Sequence, residues 1–257
     1  MPLPQPSGAF EWVQEPWGRA LRCTAISTRH LFSTSDLDLR KADGQPAAAW
    51  HQLASTLGVA APHVLCPKQV HGDAVTFVRE VPPDTKEGCA GAADIIMTAT
   101  PAIAVAVQAA DCVPLLFQDR RTGAVAAAHA GWRGTAAGVA RKTVRAMGER
   151  FGTRAGDLVV AIGPSIGPCC YRVGEELLAA FGAEGRRWFC RLSHELMLNL
   201  WSANRDQLAE AGVNGEHIHV AELCTAMHPD LFPSFRRDGD GTGRIAAAIR
   251  SAPGRTP

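Results

Sequence analysis

His71, Cys112 and His129 have side chains of the types that hold a zinc ion. They stand in Lys68-Gln69-Val70-His71-Gly72, Ala110-Asp111-Cys112-Val113-Pro114-Leu115-Leu116 and Ala128-His129-Ala130-Gly131-Trp132-Arg133-Gly134. In each case an apolar, strand-like run meets a turn. One thiolate and two imidazoles fill three tetrahedral positions and leave the fourth open, which is the ligand count of a catalytic site rather than a closed structural one. Asp119-Arg120-Arg121-Thr122-Gly123 joins two apolar runs and reads as a hairpin turn. Pairing Asp119 with Thr122 sets Cys112 opposite His129, with Cβ atoms about 4.5–5.5 Å apart. A bulge at Gly123 would shift that pairing by one residue. His71 ends a separate strand and reaches in from a neighbour.

Other residues surround this trio with more than one reading. Asp111 is a candidate proton carrier beside the cysteine. Gly131 to Gly134 leads into a helix with Thr135 as N-cap, so the turn is either an anion site with Arg133 supplying charge or a tight packing turn. Gly163-Pro164-Ser165-Ile166-Gly167-Pro168-Cys169-Cys170-Tyr171 follows a buried strand, where loops commonly line pockets. Tyr171, the chain's only tyrosine, suits stacking on a planar substrate or hydrogen-bond donation. Lys68 and Arg29 are further anion-binding candidates. Ser234-Phe235-Arg236-Arg237-Asp238-Gly239, followed by Arg244, is a solvated Arg–Asp turn or an oxyanion clamp. His217 and His219 share one face of a strand and read as structural. Glu175 and Glu176 read as first-turn helix charges.

The elements that must position these groups are clearest mid-chain. Ile103–Ala109, Val113–Gln118, Ala124–His129 and Leu158–Ile162 read as buried strands, and Ile218–Ala221 as a short one. Helices are expected over Thr135–Phe151, with Val139, Val144 and Met147 on one face, from Glu176, and over His194–Ala211. This alternation predicts an α/β or mixed α+β fold with a mixed sheet. Val81 to Gly91 reads as a long loop, so the chain is expected to be one domain over residues 1–257. Residues 1–9 and 251–257 are expected to be loose ends.

Composition narrows the function. Of 257 residues, 46% are hydrophobic and 20% charged, enough for a sizeable core. A formal net charge of +1 without a basic stripe gives no reason to expect nucleic acid or an anionic membrane. There is no run of about 18 apolar residues for a membrane span. The N-terminus lacks the features of an export signal, so the eight cysteines are expected as reduced thiols in the cytoplasm rather than as disulfides.

At Lys68–Gly72, Ala110–Leu115, Ala128–Gly134, Ile162–Tyr171 and Ser234–Gly239 the chain resembles the YfiH-like family, also called the laccase-domain or multicopper polyphenol oxidoreductase family. The resemblance runs from about Cys23 to Ile249. It implies a single-domain mixed α/β sandwich, with a sheet core flanked by helices, and zinc held by His71, Cys112 and His129. It also implies phosphorolysis of purine nucleosides, methylthioadenosine included, and deamination of adenosine. Anion and substrate contacts map by the same resemblance onto Arg29, Lys68 and Tyr171. The expected partners are purine nucleosides and phosphate, and the expected state is a monomer or small homo-oligomer. Three rivals differ in chemistry. A copper-dependent polyphenol oxidase, with Cu2+ in place of Zn2+, needs many paired histidines, whereas this chain has nine histidines and one His-x-His pair. A metal-free hydrolase would use a Cys112 thiolate with His129 or His71 as base, acting on peptidoglycan precursors. A metal-binding regulator would need no turnover at all.

Overall fold

The computed structural model describes residues 3–37, 39, 47–81 and 89–254. Among these residues the strands form sheets of seven, six and three strands. The seven-stranded sheet runs in the order Phe10–Glu15, Gly18–Cys23, His30–Ser33, Ile245–Arg250, Ala104–Ala109, Val64–Lys68, Cys89–Ala92. The six-stranded sheet runs Ile218–Val220, Leu158–Ile162, Val113–Asp119, Val125–Ala130, Ile95–Thr98, Val75–Val78. Both mix parallel and antiparallel pairs, as a mixed α/β fold requires.

The two-residue period of the strands sorts the side chains into layers. In Ala104–Ala109, Val105 and Val107 face the other large sheet together with Phe32 and Leu116, while Ala104 and Ala106 face the helix Ala47–Leu57 through Leu53 and Leu57. Val113, Leu115 and Phe117 turn the other way, onto Val144 and Met147 of the helix Val139–Phe151 and onto Leu208 of the helix Leu200–Glu210. Strands buried on both faces carry apolar residues at every position, which is why these runs read as continuous rather than alternating. The result is a sandwich of two sheets with helices outside both.

The hairpin forms between the expected strands but with a different turn. The Asp119 side chain accepts the amide N–H groups of Arg121 and Thr122. Gly123 takes φ +74°, and the Asp119 N–H donates to the Ala124 carbonyl. The ladder therefore pairs His129 with Pro114 and Ala130 with Val113, so its next step sets Cys112 opposite Gly131 rather than His129. A slip of two residues keeps every side chain on its face, whereas a slip of one would have turned the site outward. Cys112 and His129 thus both project between the sheets, at one end of the sandwich.

Two helices also differ from expectation. Thr135 is not an N-cap: the helix starts at Trp132, stops at Ala136, and resumes at Val139 after Gly138 at φ +80°. Residues 194–211 are not one helix. Glu195–Leu198 is a strand of the three-stranded sheet, and the helix begins at Leu200 behind the Asn199 cap. The ends are hydrogen-bonded to the body: the Ser7 N–H donates to Ala221 O, the Trp12 indole to Pro4 O, and the Ser251 hydroxyl to Gly123 O. Of the loop expected at Val81–Gly91, residues 82–88 lie outside the described residues, and a strand begins at Cys89.

Candidate metal centre

The strand Val125–Ala130 ends the site's rigid side. His129 is buried, at 3% exposure. Its Nδ1–H donates to Asp94 Oδ1 at 2.9 Å, which leaves Nε2 free to bind a metal. Asp94 lies across the ladder, where its carbonyl accepts the His129 N–H. The same carboxylate accepts the amide N–H groups of Val70, His71 and Gly72 at 3.2, 3.0 and 2.7 Å. One buried side chain thus orients one histidine ring and holds the turn that carries the other. That turn needs holding, because His71 sits at φ +59°, a left-handed conformation that costs a non-glycine residue energy. The two imidazole rings meet edge to face, with centroids 4.9 Å apart. Burial pushes the Asp94 carboxyl up, but the His129 hydrogen bond and the Gly72 amide outweigh it and hold it below the usual range.

Cys112 enters from the start of the adjacent strand. A Cβ on Gly131 would lie 2.9 Å from its Sγ and 3.4 Å from His71 Cδ2, so the glycine opposite Cys112 is the space the sulfur occupies. Burial pushes the thiol up, yet the charge and hydrogen bond of His129, aided by His71, bring it down to about 6. Burial pulls His129 down, and the Cys112 charge with the Asp94 hydrogen bond raises it to about 9. Each group thus favours the other's charged form, and the downward shift of the thiol favours the thiolate, the form of sulfur that binds metal. One donor atom from each of His71, Cys112 and His129 lies within 4.8 Å of the others, and exposure rises from buried His129 through Cys112 to His71. The S/N/N donor set, its carboxylate-held histidine and the room left by Gly131 all fit an ion open to solvent on one side.

The trio opens into a cavity of about 840 Å³. Lys68, Arg133 and Tyr171 line it, together with Arg236 and Arg244. The Arg236 guanidinium stacks over the Tyr171 ring at 5.1 Å. Burial, then the negative charge at Cys112, pushes the Tyr171 phenol up to about 12, so it keeps its proton at neutral pH. Arg237, by contrast, turns away to Asp238.

Two expected site residues stand differently. Arg29 is remote: its carbonyl accepts from Arg250 N–H and its guanidinium lies by Gly58. Arg250 pairs with Ala104, at one end of the strand Ala104–Ala109, whereas Gln108 and Ala109 at its other end line the cavity. Asp111, considered as a proton carrier, has its carboxylate engaged by Thr225 Oγ1 at 2.6 Å, Ser234 Oγ at 3.0 Å and Arg236 N at 2.6 Å. It is a strut that fixes the Cys112 turn, where Asp111 itself takes φ +83°, to the segment bearing Arg236.

Asp94 escaped sequence reasoning. Its one signal was a lone carboxylate opening the apolar run Ile95–Thr98, where burial without partners would be costly. His217 accepts from Arg120 Nη2 at 3.1 Å and, like His219, does not line the cavity.

The fold and donor set define a mixed α/β protein with an open His–Cys–His candidate metal site. A family model described as multi-copper polyphenol oxidoreductase laccase matches residues 19–252, and the chain belongs to that family. It is 36% identical over 243 residues to a purine nucleoside phosphorylase of Deinococcus radiodurans, covering 89% of this chain and 91% of that one. It is 32% identical over 210 residues to adenosine deaminase RL5 of an unknown prokaryotic organism, covering 77% and 78%. The crystal structure of YlmD from Geobacillus stearothermophilus superposes with a TM-score of 0.83 at 31% identity, covering 93% of this chain and 98% of that one.

Proposed function

We propose that this chain is a zinc-dependent purine nucleoside phosphorylase that also deaminates adenosine and accepts methylthioadenosine. The reading rests on one observation: the His71, Cys112 and His129 donors open into a cavity walled by several cations and one tyrosine. The names of the Deinococcus and RL5 relatives point to the same two reactions.

His71, Cys112 and His129 would hold the zinc, which supplies Lewis acidity for polarising an oxygen atom. Lys68, Arg133, Arg236 and Arg244 give phosphate a cationic wall, with planar forks available from the arginines. The Tyr171 ring offers a face to the purine, and its Oη keeps a proton to donate to the base. In phosphorolysis a phosphate oxygen bonds to the ribose anomeric carbon as the bond to the base nitrogen breaks. The base leaves with the electron pair and takes up a proton. In deamination water adds at the purine carbon bearing the amine, and ammonia leaves. Asp94 and Asp111 act as positioning residues, through His129 with the His71 turn and through the Arg236 segment respectively.

We take residues 1–257 as one working domain, because the apolar clusters share the two large sheets. Cys23, Cys112, Cys169, Cys170, Cys190 and Cys224 carry free thiols, which suits the cytoplasm, and no described helix is long and apolar enough to cross a membrane. Zinc-loaded protein given adenosine with phosphate should yield adenine and ribose 1-phosphate, and inosine with or without phosphate. Absence of all three products would overturn the proposal. Turnover that survives complete chelation would point instead to a Cys112 nucleophile.

A further inference from the structure

A second cluster of metal-ligating side chains lies outside the centre described above. The sulfur atoms of Cys169, Cys170 and Cys224 all lie within 4.8 Å of one another. Cys169 and Cys170 belong to the loop that follows the strand Leu158–Ile162, and Cys224 to a separate segment after Ile218–Val220. Backbone pairing brings the two together: Ser165 bridges Cys224, Ser165 N–H donates to Leu223 O, and Thr225 N–H donates to Ser165 O. Cys224 is 5% exposed. The Gly167 N–H donates to its sulfur at 3.2 Å, which fixes the position of that sulfur in the turn. The Arg237 guanidinium donates to Thr225 O and Ala226 O next door and adds positive charge beside a site that would be anionic.

We propose that Cys169, Cys170 and Cys224 form a second metal site that takes a single soft cation of the copper(I) class. The donor set is three sulfurs with no imidazole or carboxylate among them. Thiolates of this kind select soft ions. Sulfurs about 2.3 Å from one ion, the usual metal–thiolate length, stand about 4 Å apart, so closing this cluster takes only a small side-chain rotation. Zinc in a structural site asks for a fourth ligand, and the group holds none among the described residues. Trp201 packs against the same turn: a Cβ on Gly167 would meet its Cη2 at 2.7 Å and Cys224 Cβ at 3.2 Å. Its indole N–H donates to Ser165 Oγ. Three-coordinate copper(I) fits three sulfurs held on one turn, with Cys224 on its buried side and Cys169 on its exposed side. Each thiol releases its proton as the sulfur binds, and the metal keeps its oxidation state.

The ion would tie the loop bearing Tyr171 to the segment whose Thr225 holds Asp111, so its occupancy reaches the cavity wall. The test uses full-length, metal-free, reduced protein, titrated anaerobically with copper(I) against a chromophoric copper(I) chelator. A Cys112→Ala background removes the first centre's thiol. That variant should retain one tightly held copper with an all-sulfur shell by X-ray absorption. Adding Cys224→Ser should weaken binding by at least about 100-fold. Adding Cys169→Ser, at an exposed position, should do the same without touching the interior. The proposal is overturned if Cys112→Ala binds no copper, if the bound copper shows nitrogen ligands, or if either serine variant binds as tightly as its parent.

Discussion

Asp94 shows how much of a candidate metal centre rests on a residue outside the donor set. Its four accepted hydrogen bonds, from His129 Nδ1 and three successive amides, are what keep the His71 turn in its left-handed conformation. Asp94→Asn keeps the shape but loses the charge that orients the His129 tautomer. Zinc affinity should fall about 10- to 100-fold, the usual cost of losing a ligand's carboxylate partner, as read by competition with a chromophoric chelator. Unchanged affinity would show that the histidines need no such support. Gly131→Ala tests the opposite quality, space. Its methyl would displace the Cys112 sulfur, so the variant should fold with near-normal stability yet bind zinc at least about 10-fold more weakly in the same assay.

Strands and turns place the donors, and here sequence patterning succeeded in one respect and erred in another. The buried runs Val113–Asp119 and Val125–Ala130 were legible because unbroken apolar stretches suit strands covered on both faces. The loop joining them was not, because the Asp119 side chain and the left-handed Gly123 together favour a longer turn. The error moved Cys112 by two positions and left its face unchanged. Gly123 is also closed off in space: a Cβ there would lie 2.1 Å from Ala252 O. Gly123→Ala therefore adds a clash to an unfavourable φ and should cost about 1–3 kcal/mol of stability, measured by urea unfolding. Wild-type stability in that variant would mean the turn is not fixed as described. The helix expected over Thr135–Phe151 breaks at Gly138 for the same reason, a positive φ that only tertiary packing selects.

At the scale of the whole molecule, the sandwich buries titratable groups far from the cavity. His30 lies in the seven-stranded sheet, where its Nε2 accepts the Cys23 N–H at 2.9 Å and its Nδ1–H donates to Thr28 O at 2.7 Å. Only the neutral ring satisfies both contacts. Burial first, opposed by the Thr28 hydrogen bond, pulls it down to about 4. Because this folded value lies below the unfolded one, the unfolded chain binds the extra proton between the two. Stability is then complete above about pH 6.5 and falls toward about pH 4, by on the order of 3 kcal/mol. His30→Gln should remove that part of the loss, so unfolding free energies of the two proteins should converge as pH falls. Parallel curves would exclude His30 as the cause.

The sequence by itself determined which side chains are chemically able to bind a metal, and which runs must be buried, because residue type and two-residue periodicity are local properties. Tertiary structure alone decided which of them meet. Asp94 joined the site through a cross-strand pairing that no spacing reveals, and Arg29 stands apart from it because it precedes the strand His30–Ser33 beside Arg250, at the end of the sheet away from the cavity. Cys224 met Cys169 and Cys170 across a loop closure of the same long-range kind. Proximity between distant segments is set by how sheets align and how loops close, and those depend on the whole chain at once.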